Sequence, residues 1–119
     1  MGEPSVIDPQ AIENLRSLNP GDGDEFLREI VGIFLEDTPQ RIAELDQSLA
    51  ASDGPKFIRA AHSIKGSSAN LGAILLRAAA EKLEHQSRTQ GLANLAGLVV
   101  EAKTEFRRAE DELGKLIAK

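Results

Sequence analysis

From Asp8 onward, apolar residues return at steps of three and four, and no stretch alternates as a half-buried strand would. Such a stripe covers one side of an α-helix and leaves a face that must be buried against other helices. The longest runs through Leu27, Val31, Phe34, Thr38, Ile42, Leu45 and Leu49 and stays in phase across Pro39. A proline inside a helix removes a backbone donor and crowds the preceding turn, so a kink near Leu35 to Thr38 is expected rather than a break.

Helix signals divide the rest of the chain. Asp8-Pro9 is an N-cap followed by proline at the first helical position, opening a short helix with Ile12, Leu15 and Leu18 inward, which Asn19-Pro20-Gly21 closes. Asp22 or Asp24 caps the long helix. Asp53-Gly54-Pro55 starts a third, with Phe57, Ala61, Ile64, Ser68 and Leu71 on its inner face and a stop near Gly72. A fourth, about residues 73 to 89, buries Leu76, Ala80 and Leu83 and ends at Gly91. The last runs to the C-terminus through Leu92, Leu95, Val99, Phe106, Leu113 and Leu116. Four such helices with short turns bury their stripes only against one another. The expected fold is all-α: an antiparallel up-down-up-down four-helix bundle with a short N-terminal lid helix.

The 119 residues suffice for one domain, with a core at about residues 8 to 115. Cysteine is absent, which removes disulfides and thiolate chemistry. No apolar run approaches the roughly 20 residues that span a bilayer, and the acidic N-terminus lacks the order of a signal peptide. A cytoplasmic monomer is expected, and Met1 favours a free-standing protein. A net charge of −5 argues against a nucleic-acid partner. That charge is uneven: Gly54 to Ala80 holds Lys56, Arg59, Lys65 and Arg77 and no acid.

On a helical wheel of about 100° per residue, Ile58, His62, Lys65, Gly66 and Ala69 share the face opposite the stripe of the third helix. His62 therefore faces solvent. Helical side chains lean toward the N-terminus, so residue i+4 lies against an imidazole at i, and that residue is Gly66. Glycine inside a helix costs about 1 kcal/mol relative to alanine; access to His62 explains it better than packing. Lys65 at i+3 and Arg59 one turn earlier partly neutralise an anion attached to the ring. A phosphoryl group is such an anion, and a neutral imidazole nitrogen is a nucleophile near physiological pH. The rim of Ile58 and Ala69 suits a docking partner, with Ile58 as apolar anchor. A lone surface histidine usually does nothing; the conjunction is more specific.

The run Ala61-His62-Ser63-Ile64-Lys65-Gly66-Ser67-Ser68-Ala69-Asn70-Leu71-Gly72 closely resembles the signature of histidine-phosphotransfer domains of multistep two-component phosphorelays. Phe34-Leu35-Glu36-Asp37-Thr38-Pro39 resembles the family's preceding helix, so the likeness covers about residues 8 to 115. The resemblance implies that His62 exchanges a phosphoryl group with the aspartate of response-regulator receiver domains, with hybrid sensor kinases among the partners. It implies that Lys65 supports the group and that Gly66 leaves room for it. It further implies that magnesium sits on the receiver, that this chain holds no metal or other cofactor, and that it neither binds ATP nor acts as a kinase. Where some members use a glutamine to hydrogen-bond the imidazole, this chain offers Glu84, twenty-two residues after His62. A carboxylate there orients the ring by accepting from its other nitrogen, yet repels a bound phosphoryl. The alternative is a solvated helix charge near Lys82.

Two rival functions compete. A docking bundle without phosphate would not need His62, Lys65 and Gly66 together. A carboxylate-bridged metal enzyme is suggested by Glu81, Glu84 and His85, but the Glu-x-x-His pairs such sites use do not occur.

Overall fold

A computed structural model describes residues 6–117. Five helices account for most of them: α1 (Pro9–Leu18), α2 (Glu25–Ala51), α3 (Gly54–Leu71), α4 (Ile74–Gln90) and α5 (Ala96–Ile117). Helices α2 to α5 form a closed four-helix bundle in which each packs on its sequence neighbour and α5 returns to α2. The short connections make consecutive helices antiparallel. The short α1 lies across α2 and α3 as a lid.

The caps act as their chemistry dictates. Asp8 Oδ1 accepts from Gln10 N at 3.0 Å, and Asp53 accepts from Lys56 N at 3.2 Å, each ahead of a proline in the first turn. At the start of α2 the choice falls on Asp22, whose carboxylate accepts from Phe26 N and Asp24 N, both at 3.0 Å. Asp24 instead pairs with Arg16 at 3.1 Å. Gly72 ends α3 at φ +69°, and an added Cβ would lie 2.6 Å from the Cβ of Ala11. Only glycine combines that left-handed turn with the close approach of the lid, whose Asp8 N donates to the Gly72 carbonyl at 2.7 Å.

The core holds Leu27, Val31, Phe34, Leu45, Phe57, Ala61, Ile64, Leu71, Leu76, Leu83, Val99, Phe106 and Leu113, all buried. Phe34 and Phe106 meet at a centroid distance of 5.8 Å. Pro39 lies inside an unbroken α2, as the phase of its stripe requires. Two expectations are corrected. Leu18 is 66% exposed, not inward: two successive steps of three rotate it about 120° away from buried Ile12. Helix α5 begins at Ala96, so Leu92 and Leu95 precede it. Leu95 is nevertheless fully buried, and its carbonyl accepts from Val99 N at 2.9 Å to start the helix.

Candidate functional site

Phe57, Ala61, Ile64, Ser68 and Leu71 lock the rotation of α3 by entering the core. Ser68 Oγ satisfies itself on the Ile64 carbonyl at 2.6 Å. This fixed rotation turns His62 outward, where its side chain is 64% exposed. Gly66 lies one turn on. A Cβ built there meets nothing within 4 Å, so the ring stands beside open space.

The buried stripe of α4 runs through Leu76, Ala80, Leu83, Glu84 and Ser87. Glu84 is the ionisable member, and its side chain is only 9% exposed. Oε2 lies 3.0 Å from His62 Nδ1 and 2.9 Å from Arg88 Nη2. Oε1 lies 2.8 Å from Lys65 Nζ, an ion pair outside hydrogen-bond geometry, and accepts no hydrogen bond. Burial alone pushes the carboxyl pKa up; the close ammonium of Lys65 and the hydrogen bonds with Arg88 and His62 outweigh it and lower the value from 4.5 to about 2. Glu84 is thus ionised at neutral pH.

An ionised carboxylate only accepts hydrogen bonds, so the imidazole nitrogen facing it carries the proton. In the neutral ring this leaves the lone pair on Nε2, the nitrogen not held by Glu84. Geometry and charge together define an oriented nucleophile with basic side chains close by.

The structure brings His62, Lys65 and Glu84 into one cluster, with Gly66 beside them. The alternative of a solvated Glu84 near Lys82 does not hold, because Glu84 is buried and Lys82 pairs with Glu101 at 2.9 Å. Lys65 is half-buried and reaches the carboxylate. Arg59 is exposed and makes no ion pair among the described residues, so it stands outside the cluster. Ile58 is half-buried and Ala69 exposed on the same outer face. Sequence reasoning missed Arg88, although an arginine four residues after a glutamate is a legible helical pair. Among the described residues no group of three or more His, Cys, Asp and Glu is arranged to hold a metal ion, and no helix is long and apolar enough to cross a membrane.

The family model described as the Hpt domain matches residues 29–116, most of the chain. The chain belongs to the Hpt family. It is a histidine-phosphotransfer domain of the kind used in multistep phosphorelays. It is 32% identical over 80 residues to "Multistep phosphorelay regulator 1" of Schizosaccharomyces pombe, covering 67% of this chain but only 27% of that protein. Its fold matches the histidine-containing phosphotransfer protein HptB of Pseudomonas aeruginosa PAO1, with a TM-score of 0.85, 26% identity and 95% of both chains covered. The maize phosphotransfer protein ZmHP2 shares the fold at a TM-score of 0.78 and 22% identity, over 94% of this chain and 87% of that one.

Proposed function

We propose that this Hpt domain carries the phosphoryl group on His62 Nε2 and exchanges it with the aspartate of response-regulator receiver domains. One observation carries the assignment: an uncovered imidazole beside Gly66 whose opposite nitrogen is held by buried, ionised Glu84. In the forward step the Nε2 lone pair attacks the phosphorus of the receiver's acyl phosphate. The N–P bond forms, the O–P bond breaks, and its electron pair stays on the aspartate. The ring becomes a phosphoryl-imidazolium that keeps its Nδ1 proton, and the Glu84 carboxylate stabilises the new positive charge. Return to another aspartate reverses these steps.

In this reading the chain is a carrier in one domain, with no ATP site and no kinase activity of its own, and it needs no cofactor. Magnesium acts in the receiver. Hybrid sensor kinases supply the phosphoryl group through their receivers, the rim of Ile58 and Ala69 takes part in docking, and a cytoplasmic monomer suffices.

The test mixes the protein with a phosphorylated receiver domain and magnesium, then follows acid-labile, alkali-stable phosphate on this chain and on a His62→Gln variant checked by circular dichroism. Label on the wild type and none on the variant supports the reading. Folded wild type that stays unlabelled with several receivers refutes it and favours a docking bundle.

A further inference from the structure

Two cations of different origin divide one buried carboxylate. Lys65 comes from α3, at i+3 from His62, and holds Glu84 Oε1 at 2.8 Å. Arg88 comes from α4, at i+4 from Glu84, and donates to Oε2 at 2.9 Å, the same oxygen that receives His62 Nδ1. Their reach differs. Lys65 shares a helix face with His62, so its ammonium is a neighbour of any anion built on the ring. Arg88 is tied to the carboxylate through its own helix and has no other ion-pair partner among the described residues.

We infer that Arg88 is a positioning residue: it holds Glu84 in place and neutralised while Lys65 leaves the carboxylate for the phosphoryl group on His62. The inference rests on the carrier reading above. Charge counting supports it. Before transfer, one carboxylate faces two cations and a neutral ring, an excess of one positive charge. Transfer adds a PO3 unit of net charge −1 while the Nδ1 proton stays, and the site becomes neutral. Without Arg88 the same step leaves a net negative site, and Lys65 must serve two anions at once. The Arg88 side chain is 57% exposed, so replacing it leaves the core intact.

The test measures the equilibrium fraction of phosphorylated chain against a receiver domain for Arg88→Ala and Arg88→Lys, alone and combined with Lys65→Ala. Imidazole 15N spectra report the His62 tautomer in each. Arg88→Ala should lower the phosphorylated fraction, read as an equilibrium constant, about threefold to tenfold. Arg88→Lys should restore most of it, and the Nδ1–H tautomer should persist. In the Lys65→Ala background the effect of Arg88→Ala should be smaller, because only the direct charge of Arg88 is then lost and no lysine remains to be released. An unchanged equilibrium in Arg88→Ala, or an equal drop in the Lys65→Ala background, overturns the inference while the carrier reading stands. A wild type that takes no label overturns both.

Discussion

Glu81 and Glu84 lie one turn apart on α4, and each has an arginine at four residues' distance, yet they are different objects. Glu81 faces Arg77 across 3.9 Å in a pair more than half exposed on both sides. Glu84 points toward α3, is buried, and gathers Lys65, Arg88 and His62 within 3.0 Å. A solvated pair gains little, because water and salt screen it and two long side chains lose freedom. A buried carboxylate is costly unless compensated, and compensated it becomes a fixed charge that orders its neighbours. The helix face, not the residue type or the spacing along the chain, decides which acid joins the cluster around His62.

Substitution should expose the contrast most strongly. Glu84→Ala leaves two cations without their anion and should cost on the order of 2 to 3 kcal/mol in urea unfolding, and it should release the His62 tautomer. Acid makes the same break reversibly. Because the Glu84 pKa is lowered from 4.5 to about 2, its stabilising effect is complete above 4.5 and fades as pH falls toward 2. The stability gap between wild type and Glu84→Gln should therefore close across that window. Gly66→Ala sharpens the comparison from the other side. The site is open, so stability should rise by about 1 kcal/mol, while phosphoryl transfer, measured in the same preparation, should slow as the methyl takes up part of the open space beside the ring. Smallest of all, Glu81→Ala should move the unfolding free energy by less than about 0.5 kcal/mol.

Much of this is legible in the sequence alone. The caps at Asp53 and Gly72 bounded α3, and its apolar stripe determined which face of the helix turns outward, and with it the exposure of His62. The stripe of α4 contained Glu84 as well, four residues beyond Ala80, and an acid on a buried stripe is itself a signal of a compensated charge. Its partners were harder to read. Whether Glu84 meets Lys65 or solvent depends on the register between α3 and α4, a tertiary quantity that the period of either helix leaves undetermined. The roles of Lys65 and Arg88 share that dependence. Leu18 shows the opposite failure: three apolar residues spaced by threes look like a stripe, but the face drifts about 60° at each step and the last member leaves the core.

The proposed carrier chemistry turns on one atom, the Nε2 of His62, being reactive because Glu84 holds the proton on Nδ1. The direct measurement labels histidine with 15N, phosphorylates the chain from a receiver domain, and reads which nitrogen couples to 31P. Coupling through Nε2, with Nδ1 still protonated before and after transfer, is the predicted result. Coupling through Nδ1, or an unphosphorylated ring with its proton on Nε2, would contradict it.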